Sequence, residues 1–202
     1  ELMKKIILIG AGGQARSCID VINSTKKFKI LGLIDLRKKV KIKNYKVLGN
    51  EQYLKKIKKK NFSIHIGLGF IKSPIKRVKI FNKLRKLNFK FPIIISPKAY
   101  VSKNAKILNG TIVHHNAVIN FEAEIGYNNI INTSAIIEHG VKIGNNCHIS
   151  TRAVINGDVE IKDNTFIGSG AIIREGVKIG KNCFIGMGQT VKKNLSNNSV
   201  IK

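Results

Sequence analysis

The second half of the sequence holds residues suited to proton transfer and oxyanion binding. Glu138 is followed by His139, and histidine is the side chain that most often transfers protons near neutral pH. Gly157 lies eighteen residues after His139, and a backbone N–H can stabilise an oxyanion. A second histidine, His148, lies nine residues from each of them. A proton acceptor and an oxyanion donor would act together if the fold brings residues eighteen positions apart into contact.

A second set of residues lies in the segment Gly10-Ala11-Gly12-Gly13-Gln14, which joins an apolar run to a helical pattern. Glycines at such a turn let backbone N–H groups approach a phosphate, and the helix N-terminus adds positive potential. Asp35 closes the next apolar run, where an acid meets a ribose in nucleotide-binding folds. The dinucleotide fingerprint lacks its third glycine, because Ala15 and Arg16 occupy that region. The pattern predicts a mononucleotide or nucleotide-sugar site, or else a turn that only connects strand to helix.

A six-residue repeat fills the rest of the chain. From Ile95 to Val191 every sixth residue is Ile or Val, at seventeen positions without a break. Such repeats are typical of a parallel β-helix, whose coils stack an inward aliphatic ladder. Small residues four positions after a ladder residue suit its narrow interior: Ala117, Ala123, Ala135, Cys147, Ala153, Thr165, Ala171 and Cys183. Three hexads make one coil, so residues eighteen apart, such as His139 and Gly157, are predicted to lie roughly 4.8 Å apart.

Residues 3–94 follow a different pattern, in which apolar runs alternate with helical patterns. Strands are predicted at KKIILIG, FKILGLID and FSIHIGLG, and helices at QARSCIDVINS, EQYLKKIKKK and PIKRVKIFNKLRKLN. This βαβαβ order predicts a small parallel sheet with crossover helices. The predicted domains are therefore a Rossmann-like nucleotide-sugar-binding domain at 3–94 and a β-helix domain at 95–202.

The charge of the chain is strongly positive, with 37 Lys and Arg against 11 Asp and Glu and a net charge of +26. Such a balance often indicates nucleic acid or a membrane surface. Here the excess is mostly Lys in short runs without interleaved aromatic residues: Lys38-Lys39, Lys55-Lys56 and Lys58-Lys59-Lys60. No nucleic-acid partner is predicted, and the charge favours small anionic ligands such as phosphates.

The three cysteines, Cys18, Cys147 and Cys183, are odd in number and lack the C-x-x-C spacing of zinc sites. Because two of them occupy small-residue positions of the repeat, reduced core thiols are predicted, and no metal site. The sequence contains no stretch that predicts a membrane span or a signal peptide. A cytoplasmic location is therefore expected.

The order of a short Rossmann-like domain and a hexapeptide β-helix resembles the bacterial sugar acetyltransferases. This family includes the UDP-4-amino-sugar N-acetyltransferases and the sialic acid O-acetyltransferases, and the resemblance covers almost the whole chain. The most specific stretches are residues 132–139, Ile143-Gly144, His148-Ile149, Gly157-Asp158-Val159 and Ile167-Gly168. The resemblance implies a left-handed β-helix, acetyl-CoA as co-substrate and a homotrimer.

The resemblance also implies a role for each matching residue. His139 is the expected general base, and Gly157 offers its N–H to the thioester oxygen. The residues predicted to contact acetyl-CoA are His148, Gly157, Ser169 and Met187. The residues predicted to bind a UDP-amino sugar are Gly12, Gly13, Gln14, Asp35 and Gly67. The implied reaction is acetyl transfer to the sugar amine by direct attack on the thioester, without a covalent acyl-enzyme.

The spacing of the histidines bears on the oligomeric state. His139 and His148 are half a coil apart, so their side chains project from different sides of the prism. They can converge on one acetyl-CoA only if neighbouring subunits contribute one each. The sequence therefore predicts a trimer with active sites at the subunit interfaces.

One departure from the family concerns the residue after His139. Members of the family often carry Glu or Asp there, which orients the imidazole, whereas this chain has Gly140. Glu122 and Asp158 lie one coil before and after Gly140, and either could take over this task. Asp158 is the stronger candidate and is predicted to belong to the catalytic set, because it adjoins Gly157.

Three other functions compete with this one. O-acetylation of a sialic acid or a related sugar would use the same base on a hydroxyl group. A nucleotide-sugar-binding module without catalysis is less favoured, although Gly140 keeps it open. A β-helical zinc hydratase of the carbonic anhydrase type needs three convergent histidines, two of them five residues apart, and no two histidines here have that separation.

Overall fold

The computed structural model describes residues 3–37, 41–56 and 62–202. Within residues 3–94 it contains three helices: α1 (Gly13–Ser24), α2 (Tyr53–Lys56) and α3 (Ile75–Lys86). The strands of this part are β1 (Lys4–Ile9), β2 (Phe28–Ile34), β3 (Lys41–Ile42), β4 (Tyr45–Gly49) and β5 (Ser63–Ile66). The end of the predicted second helix and the lysines at 38, 39 and 58–60 lie outside the described residues. Among the helices that are described, none has the length and apolar character needed to cross a membrane.

The strands of this first part form one sheet in the order β3-β4-β2-β1-β5. β1 runs parallel to β2 and β5, as the βαβαβ pattern predicts, while β3 and β4 form an antiparallel hairpin that was not predicted. Because side chains alternate along a strand, Ile6 and Leu8 of β1 pack with α1 and Ile7 and Ile9 pack with α3. The two faces of the sheet are thus covered by different helices.

The second part is a parallel β-helix built from two-residue strands in three sheets. The docked sheet contains β6 (Ile94–Ile95), β9 (Ile112–Val113), β12 (Ile130–Ile131), β15 (His148–Ile149), β18 (Phe166–Ile167), β21 (Phe184–Ile185) and β23 (Val200–Ile201). The charged sheet contains β8 (Lys106–Ile107), β11 (Glu124–Ile125), β14 (Lys142–Ile143), β17 (Glu160–Ile161) and β20 (Lys178–Ile179). The apolar sheet contains β7 (Tyr100–Val101), β10 (Val118–Ile119), β13 (Ile136–Ile137), β16 (Val154–Ile155), β19 (Ile172–Ile173) and β22 (Thr190–Val191).

The hexad repeat accounts for this architecture. Strands pair with strands eighteen residues away, and the ladder residues from Val113 to Ile185 are buried in one continuous core. The small residues predicted beside the ladder are buried with them, including the free thiols of Cys147 and Cys183. The predicted fold class, a small Rossmann-like domain followed by a parallel β-helix, is confirmed. β6 spans the predicted boundary between residues 94 and 95, which stays a prediction.

The corners of the β-helix repeat with the same period. Every sixth residue from Gly110 to Gly188 has a φ between 55° and 81°, a left-handed conformation that costs most residues free energy. Gly or Asn occupies ten of these fourteen positions, because both tolerate this conformation. The repeat therefore encodes its corners as well as its ladder.

The three sheets present different outer faces. Lys and Glu alternate along the charged sheet, where Lys106 pairs with Glu124 at 3.5 Å and Lys178 with Glu160 at 3.2 Å. The apolar sheet turns Tyr100, Val118, Ile136, Val154, Ile172 and Thr190 outward. The docked sheet carries the first domain, since its outward residues Ile94, Ile112 and Ile130 join the core formed by α1.

Candidate active site

His139 and Gly157 lie on neighbouring coils, as their spacing predicts. His139 occupies the corner between β13 and β14, and Gly157 occupies the same corner one coil later. A Cβ built on Gly157 would lie 2.5 Å from Cε1 and 2.8 Å from Nε2 of His139, so the imidazole stands directly over the glycine. Only a residue without a side chain leaves room for the ring. His139 is exposed, Gly157 is buried beneath its ring, and no described group accepts the Gly157 N–H.

Asp158 lies beside this pair. The Cβ that Gly140 lacks would collide with Oδ1 of Asp158, so the carboxylate fills the space of an absent side chain. The Asp158 N–H donates to the backbone oxygen of His139 at 3.0 Å. Glu138 turns toward the preceding coil, where its Oε2 accepts a hydrogen bond from Nδ2 of Asn120 at 2.8 Å. The acid nearest to the corner of His139 and Gly140 is therefore Asp158.

His148 is buried between the two domains. Its side chain lies on the docked sheet, where Nδ1 is 2.9 Å from the backbone oxygen of Phe70 and Nε2 is 3.3 Å from Nδ2 of Asn132. The Phe70 backbone oxygen can only accept a hydrogen bond, and the Asn132 amide nitrogen can only donate one. The proton of the neutral His148 ring is therefore on Nδ1, and Nε2 is the acceptor. Burial lowers the pKa of His148 to about 4, with a further contribution from the nearby Arg77, so the ring is neutral near pH 7.

The remaining residues predicted to contact acetyl-CoA lie at a different corner. Ser169 follows β18, and its Oγ is 2.9 Å from Oγ of Ser150. Met187 lies one coil further and is 80% exposed. His139 lies at the corner between the apolar and charged sheets, whereas Ser169 and Met187 lie between the docked and apolar sheets. One chain thus holds the predicted base, with Gly157, on one edge of the prism, and the donor contacts predicted at Ser169 and Met187 on another.

The glycine turn of the first domain is braced by Asp35. The carboxylate accepts the N–H of Ala11 at 2.8 Å and two side-chain bonds from Arg37, at 3.0 and 3.1 Å. Hydrogen bonding from Arg37, together with the backbone N–H groups of Arg37 and Ala11, lowers the pKa of Asp35 to about 2. Gly12 forms the N-cap of α1, where backbone N–H groups attract anions.

A cavity of about 340 Å³ opens beside this turn, and its lining includes Gly12, Asp35 and Leu68. Gly67 lies next to it, with its N–H donating to the backbone oxygen of Ile9 at 2.8 Å. Gly13 is exposed and has open space above it. Gln14 points elsewhere: its Nε2 lies 3.2 Å from Nε2 of His114 on the β-helix.

Several polar residues at the domain interface were not predicted to have a role. His65, His114 and Arg77 are buried there, and burial lowers the pKa of His114 to about 4. His115 lies between Ser96 and Asp20, with Nδ1 2.6 Å from the serine Oγ and Nε2 3.1 Å from the aspartate. No motif marks these residues, because their surroundings arise only when the domains dock. Among the described residues, no group of three or more His, Cys, Asp or Glu side chains could hold a metal ion.

Comparison with known families matches both parts of the chain. The PglD N-terminal domain family matches residues 5–84, and the bacterial transferase hexapeptide family, described as six repeats, matches residues 158–192. No curated protein matches the sequence significantly.

Solved structures match almost the whole chain. The acetyltransferase domain of PglB from Neisseria gonorrhoeae is 26% identical with a TM-score of 0.90, over 95% of this chain and 93% of that one. Its complex with acetyl coenzyme A aligns at 25% identity and a TM-score of 0.92, over 98% and 96% of the two chains. PerB from Caulobacter crescentus, in complex with CoA and GDP-perosamine, is 25% identical with a TM-score of 0.89, over 98% and 94%. These findings support an acyltransferase, and they confirm the resemblance of this chain to the bacterial sugar acetyltransferase family over both of its domains.

Proposed function

We propose that the protein transfers an acetyl group from acetyl-CoA to the amine of a nucleotide-linked amino sugar. The observation that carries the proposal is the placement of the exposed His139 imidazole over Gly157, whose N–H has no acceptor among the described groups. A proton acceptor and an oxyanion donor lie there within reach of one tetrahedral carbon. The fold shared with PglB and PerB supports the same reaction class.

In the proposed reaction, the sugar amine attacks the thioester carbonyl of acetyl-CoA and forms a C–N bond. His139 accepts the proton that the amine loses, while the Gly157 N–H stabilises the negative charge on the carbonyl oxygen. The C–S bond then breaks, and the departing thiolate takes the proton from the imidazolium to leave as CoA thiol. Asp158 is the proposed partner that favours the imidazolium form of His139.

The acceptor site is proposed to lie in the cavity beside the glycine turn. Gly12 at the start of α1 suits a phosphate, and Asp35 stays ionised at neutral pH. We favour a UDP-linked sugar, although the substrate named with PerB is GDP-perosamine. Binding of UDP and of GDP therefore has to be compared directly.

A homotrimer is proposed from the surface of the apolar sheet. Its outward residues include Tyr100, 59% exposed, and Ile172, 43% exposed, in a column of apolar side chains that neighbouring copies would cover. The separation of His139 from the predicted donor contacts at Ser169 and Met187 supports sites shared between subunits. Sedimentation equilibrium should give three times the mass of the chain. The buried, free cysteines suit the proposed cytoplasmic location.

The experiment that tests the function follows CoA thiol release with a panel of acceptors: UDP- and GDP-linked 4-amino sugars, free sialic acids and simple amines. We expect turnover with a nucleotide amino sugar and a loss of about 10²-fold or more in His139→Ala, the range for removal of a general base. A variant that keeps more than about half of the activity would remove His139 from the mechanism. Turnover with free sialic acids alone would favour O-acetylation instead.

A further inference from the structure

The segment 66–70, called here the bridge loop, forms one wall of the proposed acceptor cavity. It begins at the end of β5, and the N–H of Gly67 donates to the Ile9 backbone at 2.8 Å. Leu68 lines the cavity and packs so closely over Gly10 that a Cβ there would lie 2.6 Å from the Leu68 side chain. A ligand in the cavity would therefore contact the loop.

Phe70, at the other end of the bridge loop, contacts His148. The Phe70 oxygen accepts the Nδ1–H of His148 at 2.9 Å, and the Phe70 ring lies edge-on to the imidazole, with the centroids 5.7 Å apart. Phe166 packs against both rings. Phe70 and His148 are 8% and 6% exposed, so water competes little for this hydrogen bond.

Arg77 fixes the middle of the loop to the β-helix. Its guanidinium donates to the backbone oxygens of Ile66 and Leu68, on either side of Gly67, and to that of Asn128 at 3.2 Å. The side chain is 1% exposed and forms no ion pair with any described residue. A buried charge without a counter-ion costs free energy unless its donors are satisfied, and here three carbonyls accept four hydrogen bonds from the guanidinium, at least one from each nitrogen.

We propose that the bridge loop couples the two substrate sites, with Arg77 and His148 as positioning residues. This inference rests on the proposed function. A nucleotide in the cavity contacts Leu68 and stabilises the loop in the conformation in which Phe70 holds His148. Because His148 is the predicted contact to acetyl-CoA, the stabilised loop favours donor binding. The two ligands then bind with positive cooperativity, and thermodynamic linkage requires the effect to be equal in both directions.

The test is isothermal titration of the full chain with CoA, alone and with saturating UDP or, separately, GDP. We expect the nucleotide that binds to lower the Kd of CoA by about 5-fold or more, the lower end of typical coupling, and CoA to lower the nucleotide Kd by the same factor. Arg77→Met and His148→Phe should each reduce the factor to less than about 2-fold. His148→Phe keeps an aromatic ring at this position, so it can test the role of the bridge loop if Arg77→Met does not fold.

The matched control is Ile130→Val, which alters a buried residue of the same sheet one coil before His148, removes none of the hydrogen bonds that hold the bridge loop, and should keep the native coupling. If both ligands bind the native protein with a factor within about 2-fold of one, the coupling is refuted while the proposed function stands. Coupling that persists in both Arg77→Met and His148→Phe would refute the role of the bridge loop. Failure of CoA and of both nucleotides to bind would overturn the proposed function itself.

Discussion

The carboxylate of Asp158 occupies the space in which a side chain on Gly140 would lie. Members of the family often place an acid after the catalytic histidine, and this chain places a carboxylate at nearly the same point from the next coil. The glycine at 140 is what makes the room. Gly140 and Asp158 are thus best understood as one unit, in which the absence of one side chain allows the other to approach the corner of His139.

The first prediction follows from this relationship. Asp158→Asn should lower kcat by about 10-fold or more, because the imidazolium formed during attack loses the carboxylate that lies beside its corner. The matched control is Glu122→Gln, one coil before Gly140, since no atom of Glu122 lies among the groups nearest to the missing Cβ. Steady-state kinetics at fixed pH measures both. Equal losses of kcat in Asp158→Asn and Glu122→Gln would mean that the net negative charge nearby, rather than Asp158 itself, stabilises the imidazolium form of His139.

Gly140→Glu tests the same unit from the other side. The backbone can accept the change, because Glu122 adopts the same left-handed φ one coil earlier. The new Cβ must nevertheless displace Asp158, so we expect no gain in kcat over the native protein. A clear gain, with no loss of kcat in Asp158→Asn or Glu122→Gln, would show that the native histidine works without an acid.

Gly157→Ala should separate folding from catalysis. Gly157 does not have a positive φ, so alanine suits the backbone, and stability should change by no more than about 1 kcal/mol. The methyl group must push the His139 ring aside, which we expect to lower kcat by about 10²-fold, since small displacements of a catalytic group have effects of this size. Because the variant keeps the backbone N–H at 157, full activity would mean that the position of the imidazole over the glycine has no part in the reaction.

The contact between His139 and Gly157 could be predicted from the sequence because the register of a β-helix is fixed. Eighteen residues make one coil, so each step of eighteen positions leads to a neighbour directly above. The alternation of Lys and Glu on the charged sheet follows from the same rule. Because the same six-residue repeat specifies the inward aliphatic residues and the corners, the number of a residue in this part of the chain predicts its sheet or corner and its coil.

The domain interface could not be predicted in this way. Arg77 belongs to a helix with several other cationic residues, and periodicity does not tell which of them is buried when the domains dock. His148 falls in the repeat, but its contact with Phe70 depends on a loop 78 residues earlier. The hairpin of β3 and β4 was missed because Lys43 and Asn44 lack the Asn-Gly signal of a tight turn.

The buried histidines predict an acid-sensitive fold. The pKa of His114 and of His148 is about 4 in the folded protein, below the ordinary 6.5, mainly because of burial. The folded state therefore binds fewer protons than the unfolded state between these values, and stability falls as the pH drops from about 6.5 to about 4. At pH 5 the loss is about 2 kcal/mol for each histidine.

Urea unfolding at pH 7.5 and pH 5.0 can measure this loss. His148→Asn should lose about 2 kcal/mol less than the native protein between the two pH values. Ile130→Val, a neighbour on the same sheet without a titratable group, should keep the native difference. An unchanged pH difference in His148→Asn would contradict the lowered pKa of this histidine.

Asp35 supplies the last prediction, because it holds the glycine turn through the N–H of Ala11. Asp35→Ala should raise the acceptor KM by about 10-fold or more, the effect of losing a hydrogen bond to a charged group, and leave the acetyl-CoA KM within about 2-fold. With a pKa of about 2, the Asp35 carboxylate of the native protein is ionised throughout pH 5–9. The ratio of the acceptor KM of Asp35→Ala to that of the native protein should therefore be constant over that range. Asp20→Ala, which removes an exposed carboxylate of the same domain, is the control. A similar rise in the acceptor KM of Asp35→Ala and Asp20→Ala would mean that the effect comes from net charge alone. If Asp35→Ala raised only the acetyl-CoA KM, the acceptor would not bind at the glycine turn.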